Sequence, residues 1–117
     1  MNEESEIEQI FEDLPPKEAF LKLQPLAKDG NAIAQFYIAE LYGLGDIGPR
    51  DDEKAFEWYE KSAKNNYFRA HHYLGVCLFN GIGCKINLGA ARKHFKIAAA
   101  ENFKPSLVAL KNMPNEI

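Results

Sequence analysis

The chain has 117 residues, of which 46% are apolar and 26% are charged, with a formal net charge of −3. This composition is typical of one soluble domain, and it excludes a chain that is disordered throughout. No apolar run reaches the length of a membrane span, and the acidic start MNEESEIEQIFED is unlike a secretory signal. We therefore expect a cytoplasmic protein without a membrane partner.

Two helices are predicted before residue 31. Residues 5–14 place Ile7, Ile10, Phe11 and Leu14 at helical spacing. A second apolar stripe follows over residues 19–30. Pro25 interrupts this stripe, and we expect a kink or a split there because proline lacks the amide proton of the helical hydrogen bond.

An internal repeat begins at residue 32. A shift of 36 residues superimposes small, aromatic and glycine positions while the charged positions drift. The matched pairs include Ala34 with Ala70, Tyr37 with Tyr73, Gly45 with Gly81, Ala55 with Ala91, Tyr59 with Phe95, and Ala63 with Ala99. Such a period indicates helical units that bury their apolar faces against one another.

Each unit is predicted to contain two antiparallel helices joined by a glycine-rich loop. The first helices are expected at about Ala32–Tyr42 and Phe68–Phe79, and Asp51 and Asn87 are expected to cap the second helices. A seventh helix should start near Ser106 and end before Pro114. The expected division is a capping segment (1–31), two repeats (32–67 and 68–103) and a partial repeat (104–117).

The repeat resembles the Sel-1-like repeat, a relative of the tetratricopeptide repeat. The first unit carries the resemblance at Ala34, Tyr42, Gly45, Asp51, Ala55, Trp58, Tyr59 and Ala63. The second carries it at Ala70, Leu74, Gly75, Gly81, Gly83, Ala91, Ala98 and Ala99. The second unit departs from the pattern at Leu78, Cys84, Asn87, His94, Phe95 and Asn102, and the first at Ile47 and Gly48. The resemblance implies an all-α, right-handed α-α superhelix whose concave face holds other proteins.

No residue pattern indicates catalysis, a cofactor or a metal. Cys77 and Cys84 are interpreted as small buried hydrophobic residues rather than a disulfide, and adjacent His71 and His72 point in different directions on a helix. His94 occupies the tryptophan position of the repeat and is interpreted as a packing residue. The glycine-rich loops are interpreted as turns, because they lack the strand and lysine of a phosphate-binding loop.

The candidate binding site follows from the analogy with tetratricopeptide repeats, in which the first helix of each pair lines the concave face. The residues expected there are Phe36, Glu40, Arg69, His72, Val76, Phe79 and Asn80. An apolar strip rimmed by charge is typical of a protein-binding site. The alternative is that these side chains pack against neighbouring helices.

Charge is divided unevenly along the chain. Residues 1–60 carry 15 acidic and 5 basic side chains, whereas residues 61–111 carry 1 acidic and 9 basic ones. This separation is compatible with a solvated surface, a partner of complementary charge, or head-to-tail association. Nucleic acid is not expected, because the lysines are not interleaved with a stacking motif. We expect a monomer or a weak dimer.

The resemblance leaves three functions open. The leading hypothesis is a non-catalytic adaptor or regulatory scaffold that binds a protein partner on its concave face. The alternative is an immunity protein that neutralises a cognate bacterial toxin. A β-lactam-binding or hydrolysing enzyme is the outlier.

Overall fold

A computed structural model describes residues 2–114, which form seven α-helices and no strand. The helices are α1 (Glu3–Asp13), α2 (Pro16–Lys28), α3 (Ala32–Leu44), α4 (Asp52–Lys64), α5 (Phe68–Asn80), α6 (Leu88–Ala99) and α7 (Lys104–Asn112). Consecutive helices pack against one another, and α1 also contacts α3. The molecule measures 46 × 32 × 22 Å. The predicted all-α solenoid of helix pairs is confirmed.

The helix boundaries follow from the capping residues of the sequence. Asp51 and Asn87 each accept a hydrogen bond from the backbone N–H three residues later, as predicted. Gly45 and Gly81 end α3 and α5 at φ values of 75° and 72°, a conformation that glycine adopts at little cost. The glycine-rich loops are therefore turns between helices, and they occupy equivalent places in the two repeats.

Helix α2 runs through Pro25 without the predicted split. Proline removes the hydrogen bond to the carbonyl of the residue four positions earlier, which is Leu21. The Leu21 residue is 69% exposed, so water can satisfy that carbonyl. Pro25 also lies close to the end of the helix, where its own carbonyl accepts from the Asp29 N–H. Of the two predicted consequences of Pro25, a kink or a split, the split was therefore wrong.

Small residues bring the helices together. In the larger core, Ala34, Ala39 and Ala70 are fully buried. A smaller core between α5, α6 and α7 contains Ala91, Phe95 and Met113. The Phe95 ring lies over Gly75, where an added Cβ would be 2.6 Å from a ring carbon. The second repeat therefore needs glycine at this position for its aromatic residue to pack.

Candidate protein-binding groove

The structure places two of the seven predicted site residues in the interior. Phe36 is 3% exposed and His72 is 9% exposed, and both belong to first helices of the repeats. The Phe36 ring contacts four tyrosine rings, those of Tyr37, Tyr59, Tyr67 and Tyr73. His72 Nδ1 is 2.7 Å from the Ser106 hydroxyl oxygen, which is itself fully buried. The expectation that Phe36 and His72 lie on an open face is thus corrected.

Phe79 also packs inward for part of its surface. It is half-buried against the cluster of Ala91, Phe95 and Met113. The neighbouring Asn80 is exposed, and its side-chain amide donates to the Val76 carbonyl at 3.0 Å. Phe79 therefore serves the α5–α6–α7 core, and Asn80 lies at the surface one residue further on.

Glu40 and Val76 both line a groove of about 240 Å³ between α3 and α5, and residues of α4 also line it. We call it the α3–α5 groove. It is lined by Glu40, Gly43, Leu44, Arg50, Asp52, Ala55, Tyr59, Tyr73, Val76, Cys77 and Ile82. Asp52 is already paired with Arg50, with 2.7 Å between Oδ1 and Nε. Glu40 is therefore the groove carboxylate without an ion-pair partner among the described residues.

The Glu40 carboxylate is set among aromatic rings. The Tyr59 hydroxyl donates a hydrogen bond to Glu40 Oε1. Tyr59 and Tyr73 are stacked, with ring centroids 5.7 Å apart and planes inclined by 10°. Burial raises the pKa of the Glu40 carboxyl, while the Tyr59 hydrogen bond and the charge of Arg69 oppose that rise. The negative charge of Glu40 is therefore stabilised only in part, by the Tyr59 hydrogen bond and by Arg69.

Arg69 lies beside the groove, on the side of α1 and α7. Its guanidinium carbon is 5.8 Å from the centroid of the Phe103 ring. Carboxylates of α1 lie close by, because Glu4 accepts a hydrogen bond of 2.8 Å from the Tyr67 hydroxyl. Burial, helped by Glu8, raises the pKa of Tyr37 to about 12. Acidic and tyrosine side chains therefore extend from the groove towards α1, with Arg69 as the cation among them.

Sequence reasoning missed Tyr73 and Leu44, which line the groove. Arg69, Tyr73, Val76 and Asn80 are spaced by four, three and four residues, which places them on one face of α5. Glu40 and Leu44 occupy the corresponding face of α3. The expected stripe included His72, which precedes Tyr73 by one residue, a rotation of about 100° on the helix. In α5 that rotation separates buried His72 from half-buried Tyr73, whereas in α3 Phe36 and the following Tyr37 are both buried.

A second cavity, of about 330 Å³, lies between α4, α5 and α6. His71 Nδ1 and His94 Nδ1 are 2.9 Å apart there, and Glu60 and Lys64 also line the cavity. Burial lowers the pKa of both histidines, and for His94 the neighbouring His71 contributes. When both rings are neutral, the Nδ1–H of one histidine donates to the unprotonated Nδ1 of the other. The pair therefore links α5 to α6.

The two cysteines are free thiols in this structure. Cys77 is buried as expected, and burial raises its pKa to about 12, so the thiolate nucleophile is disfavoured. Cys84 is only half-buried, and its thiol donates to the Cys77 carbonyl at 3.4 Å. Within residues 2–114, no group of three or more metal-ligating side chains is found. No helix in that range is long and apolar enough to cross a bilayer.

The chain is similar to proteins named as regulators. It is 29% identical over 91 residues to Activator of C kinase protein 1 of Saccharomyces cerevisiae, which covers 74% of this chain and 15% of that protein. It is 27% identical over 94 residues to Chitin synthase regulator SKT5 of the same yeast, covering 80% of this chain and 14% of that protein. The chain thus spans less than a sixth of the length of these relatives.

Two solved structures share the fold. A Sel1 repeat protein from Oxalobacter formigenes is 27% identical and superposes with a TM-score of 0.79, covering 83% of this chain and 73% of that one. A protective antigen of uropathogenic Escherichia coli with an SLR fold is 24% identical, with a TM-score of 0.78 over 86% of this chain and 22% of that one. The family model described as Sel1 repeat matches residues 32–67 and 69–103. The chain therefore belongs to the Sel1 repeat family.

Proposed function

We propose that this protein is a non-catalytic interaction module that binds a polypeptide partner in the α3–α5 groove and acts as an adaptor or regulator. The observation that carries the proposal is the groove itself, in which Glu40, Tyr73, Val76 and Leu44 surround an open volume. Leu44 is 58% exposed, and an exposed leucine beside aromatic and charged groups is typical of a binding surface.

Family membership and the relatives' names support the same role. Repeat proteins of stacked helical pairs form extended surfaces that bind other proteins. The two yeast relatives are named as an activator and a regulator. The raised pKa of the Cys77 thiol disfavours nucleophilic chemistry at the groove. Among the residues first considered for the site, Glu40, Val76, Asn80 and Arg69 are retained in this proposal.

Site-specific photo-crosslinking tests the proposal. A photoreactive phenylalanine analogue is placed at Leu44 in one protein and at Val108 in a control, and both are irradiated in cells of the native host. Leu44 lines the groove and is 58% exposed, whereas Val108 lies on α7 and is 57% exposed, so neither change disturbs the core. We expect a discrete protein adduct at Leu44 and none at Val108. An adduct only at Val108, or none at either site, would contradict the proposal.

The identity of the adduct separates the kinds of interaction module. Several host proteins crosslinked at Leu44 would support an adaptor. A single toxin would instead support the immunity hypothesis, which no contact of the structure specifically favours.

We also propose the cytoplasm as the compartment. Cys77 and Cys84 are unpaired thiols, and reducing compartments keep thiols in that state. Fractionation of the native host with thiol labelling tests this, and recovery from an oxidising compartment would contradict it.

A further inference from the structure

The two repeats differ at the positions of Glu40 and Tyr59, which line the α3–α5 groove. Glu40 and Tyr59 of the first repeat correspond to Val76 and Phe95 of the second, 36 residues later. The first pair is joined by a hydrogen bond from the Tyr59 hydroxyl to Glu40 Oε1. In the second repeat, Val76 packs against the apolar cluster that contains Phe95. The fold therefore accepts an apolar pair at these positions.

The Glu40 carboxylate is not required by the repeat fold, because the second repeat has valine at that position. Its partial burial costs free energy, so we look for a role outside packing. Burial raises the pKa of Glu40, which means that the folded state disfavours the charged form. Replacing both partners of a hydrogen bond by apolar groups of similar shape is often neutral or stabilising. The second repeat shows that a Val and Phe pair is compatible with these positions of the fold.

The surroundings of Glu40 fit a cationic side chain. The groove volume of about 240 Å³ is roughly that of eight water molecules in the liquid, enough for one long side chain. The Tyr73 ring and Leu44 supply apolar walls for a methylene stem, and arginine both stacks on aromatic rings and pairs with carboxylates. Further carboxylates, those of Glu4 and Glu8, lie towards α1, and Arg69 carries the opposing charge.

We propose that the α3–α5 groove recognises a basic segment of the partner, with an arginine side chain seated between Tyr73 and Leu44 and paired with Glu40. This inference rests on the proposed function, and it adds the chemistry of the partner. The arginine replaces water at the carboxylate, and the pairing stabilises the charged form of Glu40. The second repeat, with Val76 and Phe95 at the equivalent positions, contributes packing and no equivalent carboxylate.

A fluorescence anisotropy titration tests the proposal on the 117-residue chain. The probe is a fluorescein-labelled peptide of alternating alanine and arginine, and the matched peptide has glutamate in place of arginine. We expect the arginine peptide to bind and the glutamate peptide not to bind. Two variants remove the carboxylate: Glu40→Gln, and the double change Glu40→Val with Tyr59→Phe, which copies the second repeat. Both should weaken binding about tenfold or more.

Glu57→Gln is the control for net charge. Glu57 is exposed on α4, and its replacement removes one negative charge as the groove variants do. We expect its affinity to stay within about twofold of the unmodified protein. Circular dichroism of the double variant should show an intact helical fold, because the second repeat already contains this pair.

Three outcomes would overturn the proposal: no binding of the arginine peptide, binding of the glutamate peptide, or equal weakening by Glu40→Gln and Glu57→Gln. These outcomes are distinguishable from failure of the proposed function. If a partner is crosslinked at Leu44 but the arginine peptide does not bind, the interaction role stands and the basic partner does not. If no partner is crosslinked at Leu44, the interaction role at this groove fails as well.

Discussion

The two Sel1 repeats are built on the same positions but use them differently. In the first repeat, Tyr59 directs its hydroxyl to Glu40 and borders an open groove. In the second, Phe95 is buried to a similar degree, with 3% exposed against 7% for Tyr59, but its ring closes over Gly75 and carries no hydroxyl. Loss of the hydroxyl accompanies loss of the carboxylate, so the polar pair is present or absent as a unit. A repeat can thus replace a polar pair that lines a groove with apolar core packing while keeping its two helices.

A second difference concerns the position of the repeat tryptophan. Trp58 of the first repeat has the Lys61 ammonium 4.1 Å from its ring centroid, a surface cation–π contact. Its counterpart His94 instead pairs with His71 of α5. The histidine pair therefore adds a polar contact between α5 and α6, beside the packing of Phe95 on Gly75, and the first repeat has no histidine at the equivalent positions.

The largest effect is expected from truncating the aromatic residue of the second repeat. Phe95→Ala should lower the free energy of unfolding by about 3–5 kcal/mol, because it empties a buried site beside Gly75. Tyr59→Phe in the first repeat removes one hydroxyl and should cost about 0.5–1.5 kcal/mol. Urea denaturation measures both. Equal losses for the two variants would show that the Tyr59 hydroxyl contributes as much stability as the whole Phe95 ring, and would contradict the dispensable role given to the polar pair.

The next effect comes from Gly75, which lies beneath the Phe95 ring, and from Ala39, its counterpart in the first repeat. Gly75→Ala should destabilise by about 1–3 kcal/mol, because the new Cβ would meet the Phe95 ring at 2.6 Å. The reverse change in the first repeat, Ala39→Gly, should cost about 1 kcal/mol from helix propensity and the lost methyl group. Thermal unfolding compares them. A Gly75→Ala protein as stable as the unmodified one would mean that the ring can move aside.

The histidine pair predicts an acid-sensitive second repeat. Burial lowers the pKa of His71 and His94 below the usual 6.5, so the unfolded chain binds protons that the folded chain does not. Stability should therefore be constant above about pH 6.5 and fall as the pH decreases below it. Glu60 and Lys64 line the same cavity as the pair.

His94→Trp, which copies the first repeat, should flatten this pH dependence. Stability is measured by urea denaturation at several pH values, with His71 retained in both proteins. An unchanged slope in the variant would assign the acid sensitivity to other groups, of which His72 is the nearest candidate, because burial also lowers its pKa.

The smallest effect concerns the groove carboxylate. Glu40→Gln should slightly raise the unfolding temperature at pH 7, because it removes a charge that burial disfavours and keeps an acceptor for the Tyr59 hydroxyl. Glu57→Gln, at an exposed position, should leave the unfolding temperature unchanged. A clear loss of stability in Glu40→Gln would indicate that the carboxylate is required for folding, and the argument for a ligand would fail.

The fold could be predicted from the sequence because its signals are local. A 36-residue period, the caps Asp51 and Asn87, and the glycines that end α3 and α5 each act within a few residues. The split predicted at Pro25 was wrong, because the cost of a proline in a helix depends on whether the carbonyl left without a donor, here that of Leu21, reaches water. That exposure is a property of the packed structure rather than of the local sequence.

The candidate site was only partly predictable. Glu40 and Val76 were expected on one face by analogy with tetratricopeptide repeats, and both line the α3–α5 groove, but the same analogy also placed buried Phe36 and His72 on that face. Packing fixes the rotation of each helix: the Phe36 ring fits among four tyrosines, and His72 finds the buried Ser106 hydroxyl 34 residues away. Such long-range contacts decide which aromatic residues become core and which line a groove.

A ¹H–¹⁵N NMR titration of the chain with the alanine–arginine peptide tests most directly whether the first repeat recognises a basic segment. We expect the largest shift changes in α3 and α5 around Glu40, Leu44, Tyr73 and Val76, and we expect them to vanish when Glu40→Val is combined with Tyr59→Phe. Shifts confined to α6 and α7, or unchanged in the double variant, would contradict the assignment of recognition to the first repeat.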